Sequence, residues 1–550
     1  MPSSPHPLHL VPIHPSCTLS LPLSSFSADA CHCPPSRPAR LSRCLLARPP
    51  IHPLRRHPLM VAFVPAPLSL THSVRNCVWA ATVRRGRRLP FPAAPRRFAG
   101  PPLRRILDMA APAADGPGIA AATSTTTTTT SPFNAAGATG VAVSPAEAAA
   151  YAHAVTAAFT RFPFVAPRGT RNGHLQTILG YLLPRPPAVA YSRRRLLGVD
   201  GDPFDVDLAV PPGVTLPPPS PLPDIAATAG AAEVTASSPS SSPRSAVVAA
   251  AVAALGPLGA GSHPVAIVCH GLESSSSAIH TVRIVAPLLA AGWVVLALNS
   301  RGCSGTPASS PRMYHASFSD DLGLLVEAVG AGVAAGPLGH PSRAVIALSG
   351  FSLGANIVTH YIGTLGDDAP AAGIRAAAVA CVPFDPAACQ PRIDGGICRT
   401  LYADRFVGTI KAKAEVVVDA LGGDEAAARV FDVARVRAAT TIGDIDDAFI
   451  APVFGFDGKE GYYAASNTVP LLRRVAVPLL AVNNMDDPFF EPTALPSEAD
   501  VAGAPVILSY NDHGGHCGFF SSPVGGNTYM GTELARFLNH ARDTWASRQP

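Results

Sequence analysis

The sequence predicts a doubly wound α/β sheet, and three observations predict it. Short runs that are apolar throughout, "PVAIVCHG" from 264, "WVVLALNSRG" from 293 and "SRAVIALSG" from 342, read as strands buried on both faces. Stretches with helical spacing separate them, among them "TVRIVAPLLAAG" (281–292) and "DDLGLLVEAVGAGVAAG" (320–336). Strand and helix in alternation, joined by right-handed crossovers, leave a mostly parallel sheet with helices on both sides.

The chain has 550 residues, 59 of them Pro, and only 14% are charged, so much of the length is expected to lie outside a core. Its net charge of +5 is unevenly spread: residues 1–107 hold 15 Arg, no Lys and one acid, Asp29. The rest is therefore mildly acidic and has no footprint for nucleic acid. Arg-rich, Ser-containing and acid-poor is the composition of an organelle transit peptide. "MAAPAADG" at Met109 reads equally as a protein start, which would make 1–108 an upstream extension. Either way residues 1–143, including the spacer "TSTTTTTTSP", are read as a disordered leader. The compartment expected is intracellular: a chloroplast or other organelle if the leader is an import signal, the cytoplasm otherwise.

Five of the eleven cysteines lie in that leader, and the other six show no CxxC spacing, so reduced core thiols are expected rather than a disulfide framework. No run reaches the roughly 18 to 20 apolar residues of a membrane span. The nearest, "AVVAAAVAALGPLGA" (246–260), is broken by Pro257. Contact with a membrane is expected to be peripheral at most.

In order, "SPAEAAAYAHAVTAAFTRF" opens on Ser144 with Glu147 three residues on, a capping box before a helix. "RRRLLGVDGDPFDVDLAV" (193–210) alternates around Asp200-Gly201 and reads as a hairpin. Residues 211–262, rich in Pro, Ser and Ala, read as a disordered surface insertion. After the three strands above comes a helix from "SLGANIV" and a fourth strand, "AAAVACVPF" (376–384). The alternation then stops over 385–470, where helical stretches predict a cap. The sheet resumes with "RRVAVPLLAVNN" (473–484) and "APVILSYND" (504–512), and "GTELARFLNHARDTWAS" (531–547) closes the chain as an amphipathic helix.

"GFSLG" (350–354) sits where the third strand becomes a helix, the context in which Gly-x-Ser-x-Gly exposes a nucleophile. The bland alternative is a serine that caps the helix, a job Ser349 could also do. A serine hydroxyl needs a base. "YNDHGGHCGFF", after the last strand, offers His516 at a glycine-flanked tip, with His513 beside it. "NNMDDPFFEP", after the preceding strand, offers Asp487, with Asp486 the alternative. Ser, Asp, His is the chain order of one large group of hydrolases. The oxyanion would need two backbone N–H donors: Leu353, next to the nucleophile, and Leu272, in the loop after the first long strand. His270 in that loop is a second base or, more simply, a brace for the loop. A metal site from Asp512, His513 and His516 lacks any supporting ligand pattern, and Cys269 or Cys517 reads as an inert core thiol.

Several stretches carry a resemblance over roughly 150–545: "RNGHLQTIL" (171–179), "HGLESSS" (270–276), "SRGCSGTP" (300–307), "GFSLGANIV" (350–358), "VPFD" (382–385), "MDDPFF" (485–490) and "HGGHCGF" (513–519). The chain resembles the α/β-hydrolase superfamily, and within it the embryogenesis-associated branch, the AB hydrolase 4 family. The resemblance implies an α/β-hydrolase domain over 144–550 with a cap at 385–470, and Ser352, Asp487 and His516 as its triad. It also implies no metal or organic cofactor. Such proteins are similar to carboxylesterases and acylglycerol or phospholipid lipases, and some fungal relatives move medium-chain acyl groups to alcohols. Animal relatives have an N-terminal membrane anchor, and none is found here. The sequence departs at Ser274, where Gly is frequent, and in the insertion. Within "RNGHLQTIL", Asn172 and His174 are expected to pin the segment to the sheet. Arg301 and Cys303 are expected to shape the loop at the sheet's edge.

The function expected is a serine esterase or lipase acting on lipid-like esters through an acyl-enzyme. Acyl transfer to an alcohol on the same residues, or ligand binding without catalysis, are the alternatives. The cap aromatics of "DRFVG", "FIAPVFGF" and "GYYAAS" would line an acyl pocket, or are ordinary core.

Overall fold

The computed structural model describes residues 142–548, apart from 184–185, 187, 216–242, 257, 259–262, 309, 336–339, 341–342 and 524–528. The leader up to residue 141, and the middle of the expected insertion, lie outside the described residues.

Eight strands form one sheet: β1 (Ser192–Leu197), β2 (Pro203–Ala209), β3 (Val265–Cys269), β4 (Val294–Asn299), β5 (Ile346–Phe351), β6 (Ile374–Ala380), β7 (Leu479–Asn484) and β8 (Val506–Asn511). Their order is β1-β2-β4-β3-β5-β6-β7-β8. β3 through β8 pair in parallel, and every residue of β3, β4, β5, β6 and β7 is buried, as their unbroken apolar runs require. β1 and β2 form the antiparallel hairpin, with Gly201 at φ +83° in its turn. Arg193 faces Asp207 and Arg195 faces Asp205 across it, each pair closing at 2.8 Å.

Helices cover both faces. On one lie α3 (Pro243–Leu255), α5 (Asp320–Ala334) and α6 (Leu353–Leu365). On the other lie α1 (Pro145–Ala158), α4 (Ile279–Ala290) and α10 (Tyr529–Ala546). Ser144 caps α1, its hydroxyl accepting from the Glu147 N–H at 3.2 Å. α2 (Gly173–Leu182) precedes the sheet in sequence, and none of its residues belongs to the apolar core under either layer.

The expected insertion needs a correction. Its last stretch is α3, whose Ala251, Ala254 and Leu255 are buried in the core beside Leu196 of β1. Arg244 of α3 also bonds Glu327 of α5 at 3.1 Å. Richness in Ala signals helix as well as loop, because Ala loses the least entropy in a helix and its short side chain allows close packing.

The helices α7 (Pro386–Asp394), α8 (Asp404–Leu421) and α9 (Gly458–Ser466), with shorter turns among them, fill the gap between β6 and β7. Asp385 of "VPFD" starts this cap, accepting from the Ala387 N–H at 3.0 Å. The cap has a core of its own, in which Val407, Ile410, Ala414, Val417 and Val418 form one stripe of α8. No helix among the described residues is long and apolar enough to cross a membrane.

Arg301, after β4, joins three elements. Its guanidinium, 3% exposed, bonds Asp321 at the start of α5 at 2.7 Å and Asp200 of the hairpin turn at 2.7 Å. Removing the cation would leave Asp321 buried without its charge partner. Arg301→Met is therefore expected to cost about 3–5 kcal/mol in a denaturant titration. A loss under about 1 kcal/mol would show the cluster to be relaxed by solvent.

Candidate active site

β5 ends at Phe351 and α6 begins at Leu353, so Ser352 alone makes the turn. It does so at φ +53° and ψ −129°, a conformation that costs a non-glycine residue about 1–3 kcal/mol. The flanking glycines are needed for space. A Cβ on Gly354 would lie 2.3 Å from the Cys269 carbonyl oxygen, and one on Gly350 2.7 Å from that of Gly354.

Neither serine caps the helix. Ser352 makes no side-chain cap bond, and Ser349 donates to the Ala378 carbonyl at 2.7 Å. The Ser352 Oγ instead lies 2.8 Å from Nε2 of His516. Nδ1 of the same ring lies 2.8 Å from Oδ2 of Asp487, whose Oδ1 accepts from the Phe489 N–H at 2.9 Å. All three residues are thus in one hydrogen-bonded line, with His516 Nδ1–H as donor to the carboxylate. Burial disfavours the imidazolium, but the Asp487 carboxylate, with a further contribution from Cys517, outweighs it and raises the pKa of His516 above its ordinary value. Phe489 covers the ring at 4.1 Å between centroids.

The alternatives at each position fall elsewhere. Asp486 accepts from the Gly515 N–H at 2.8 Å and lies 3.3 Å from His513, so it braces the loop rather than the imidazole. His270 is buried and held at both nitrogens, Nδ1 by the Gly271 carbonyl at 2.7 Å and Nε2 by the Ser300 N–H at 3.0 Å. Burial pushes it down to about 4. It braces the loop after β3 and has no free nitrogen for a second base. Among the described residues, the grouping of potential metal ligands is Cys381, His516 and Cys517, within 4.8 Å of one another, rather than Asp512 with the two histidines. Burial pushes the Cys269 thiol up to about 12, as an inert thiol requires.

The loop after β3 passes directly over the serine: a Cβ on Gly271 would lie 3.1 Å from that of Ser352. Leu272 follows it. Leu353 is the first residue of α6, where the backbone N–H has no carbonyl one turn earlier to bond. The left-handed residue of this loop is Glu273, at φ +53°, so Ser274 departs from the frequent Gly without backbone strain. The carboxylate of Glu273 is held by Tyr314 at 2.8 Å and by Lys413 of α8 at 2.7 Å, which ties the loop to the cap.

No family model matches the chain. Relatives do. YheT of Escherichia coli, whose name marks it as a candidate esterase, is 28% identical over 268 residues, 49% of this chain and 74% of its own length. The embryogenesis-associated protein EMB8 of Picea glauca is 26% identical over 46% of this chain and 53% of its own. The phospholipase ABHD3 of Homo sapiens is 24% identical over 51% of this chain and 64% of its own. These relatives and the strand order decide the family. The chain is an α/β-hydrolase of the EMB8-like family.

Five of the seven described non-glycine residues with positive φ in this hydrolase adjoin the site: Glu273, Ser352, Cys381, Cys517 and Phe519. Backbone strain of this kind collects where geometry is held for chemistry. Glu273 and Lys413 carry no motif logic, and sequence reasoning missed them. Gln176 and Thr177 lie inside "RNGHLQTIL" and are buried, but no local pattern in the sequence marks either of them.

The cap aromatics are chiefly core. Phe449, Tyr462 and Tyr463 are buried, and Phe431 packs on Phe449 at 4.7 Å between centroids. A cavity of about 380 Å³ in the cap is lined by Asp385, Gln390, Lys459 and Tyr463 and includes no residue of the Ser352 line. The buried rings pack the cap itself, while Phe406 of "DRFVG" packs against the group that includes Phe489, the ring over His516.

Proposed function

We propose that this hydrolase cleaves carboxylic esters of lipid type, with Ser352 as nucleophile, His516 as general base and Asp487 as its orienting acid. The observation that carries the reading is the uncapped, left-handed Ser352 with its hydroxyl 2.8 Å from the His516 nitrogen. His516 Nε2 takes the hydroxyl proton as Oγ attacks the acyl carbonyl. Asp487 holds the Nδ1–H tautomer and stabilises the imidazolium without taking the proton. The backbone N–H groups of Leu272 and Leu353 receive the oxyanion. His516 then protonates the leaving alkoxide. Water, deprotonated by the same nitrogen, attacks the acyl-enzyme, and His516 returns that proton to Ser352 Oγ as the acid leaves.

Two features support a lipid-type substrate. One relative is named a phospholipase. The elements flanking His516 also expose Tyr181 and Leu182 on α2, and Ile397 and Leu401 before α8. Phe489, which covers His516, packs on Tyr402 at 4.9 Å, within this same group.

A fluorophosphonate probe is expected to label the folded chain once, with the phosphonyl adduct mapping by peptide mass to the fragment containing Ser352. Folded protein that takes no label, or takes it elsewhere, overturns the reading. Product analysis with added alcohol separates hydrolysis from acyl transfer.

A further inference from the structure

We propose that α2, the helix built by "GHLQTIL", is the socket of the catalytic histidine loop, and that Thr177 positions His516. The proposal rests on the serine-esterase reading above and gives the motif a task that its sequence did not disclose.

The argument begins with the loop's backbone. Residues 514–519 belong to neither strand nor helix, and four of them, Gly514, Gly515, Cys517 and Phe519, have positive φ. Such a path cannot join a regular ladder, so its polar groups need other partners. One bond is internal, Phe519 N–H to the Gly514 carbonyl at 2.9 Å. The others come from side chains on separate elements. Asp486 takes the Gly515 N–H, Asn484 donates to the Gly515 carbonyl at 2.7 Å, and Cys381 Sγ accepts the Cys517 N–H at 3.1 Å.

The N–H of His516 itself goes to α2. Thr177 Oγ1 accepts it at 2.8 Å and donates its own proton to the Gly173 carbonyl at 2.7 Å. That hydroxyl has both roles filled, so an isosteric valine would lose both bonds at once. The preceding residue, Gln176, brackets Phe520, accepting its N–H at 2.6 Å and donating to its carbonyl at 3.3 Å. Both side chains are buried.

Contact between helix and loop is backbone against backbone. A Cβ on Gly515 would lie 2.3 Å from the Gly173 carbonyl oxygen, and one on Gly518 2.2 Å from that of Gln176. A Cβ on Gly180 would lie 2.3 Å from the Gly518 Cα. The same helix reaches the acid's loop, since a Cβ on Gly173 would lie 1.8 Å from the Asp486 carbonyl oxygen. α2 thus sets the separation of the two loops that carry His516 and Asp487. Its hydroxyl fixes the height of the histidine over Ser352, acting through the backbone rather than on the substrate.

The test compares Thr177→Val with Thr177→Ser in the full chain, each checked by thermal melting and by fluorophosphonate titration of active sites. Per titrated site, Thr177→Val is expected to lower kcat about 100-fold, the cost of a misplacement near 1 Å. KM should stay within about threefold, because no substrate contact is removed. Thr177→Ser should restore most of the loss. The low-field proton resonance of the His516–Asp487 hydrogen bond should vanish or broaden in the valine variant and return in the serine variant, which a role in stability alone would not produce. If Thr177→Val does not fold, Thr177→Ala takes its place in each measurement. A kcat within about twofold of wild type in the folded variant, with the resonance unchanged, overturns the proposal. Failure of Ser352 labelling in wild type is a different result and overturns the esterase reading instead.

Discussion

Ser352→Ala is expected to lower kcat on a lipid-type ester by about 10⁶-fold, and His516→Ala to lower it by about the same. The double variant should fall no further. The two residues make one proton transfer, through the 2.8 Å contact between Oγ and Nε2, so removing either removes all of it. A residue of about 10³-fold over the uncatalysed reaction should persist in all three variants, because the backbone N–H groups of Leu272 and Leu353 are untouched by the substitutions. The measurement is kcat for each single variant and the double on one ester. A double variant well below the singles would mean that His516 serves some step in which Ser352 has no part.

The parts of this site legible in the sequence were those fixed by chain order. β3 to β7 are buried on both sides, which forces unbroken apolar runs, and each run ends at a turn where chemistry can sit. Ser352 and Asp487 follow two such strands, β5 and β7, and His516 follows β8 at the sheet's edge, so position relative to a strand end narrowed the choice to these residues and their immediate neighbours. What failed to show was anything that depends on a partner far away in sequence. Thr177 meets His516 across 339 residues, and Lys413 meets Glu273 across 140. Neither pair has a local pattern, because each side chain is ordinary on its own element. α3 was obscured for another reason: its alanines are compatible with helix and with loop, and only the groove between α5 and β1 selects the helix. The cap aromatics stayed ambiguous because a ring's type does not state whether it faces a ligand or another ring.

These two kinds of residue divide the work of the site. In the proposed mechanism the chain-order residues supply the reacting atoms. Glu273 with Lys413, and Thr177 with Gln176, tie the two irregular segments, the loop after β3 and the histidine loop, to elements outside the parallel sheet. Loops with few regular hydrogen bonds can hold catalytic geometry only when side chains replace the missing ladder.

Asp487→Asn is expected to lower kcat by about 10⁴-fold while leaving the fold intact. The asparagine would still fit the buried space and could still take the Phe489 N–H that Asp487 Oδ1 accepts at 2.9 Å. Its amide NH₂ would then face His516 Nδ1 and favour the tautomer with the proton on Nε2. That nitrogen must be unprotonated to accept the proton of Ser352. The pH profile separates this account from simple misfolding. The base works only when neutral, so the rate falls as pH drops through the His516 pKa. Against the downward pull of burial, the carboxylate raises that pKa above its ordinary value near 6.5, which places the acid limb of the wild type higher than an exposed histidine would. Removing the carboxylate takes away the largest contribution that opposes burial, and the limb should move to lower pH in Asp487→Asn. Asp486→Asn is the control: its carboxylate bonds the Gly515 N–H and lies beside His513, so it should cost some rate and leave the limb in place. A limb that stays fixed in Asp487→Asn, or moves in Asp486→Asn instead, would assign the acid to the other aspartate.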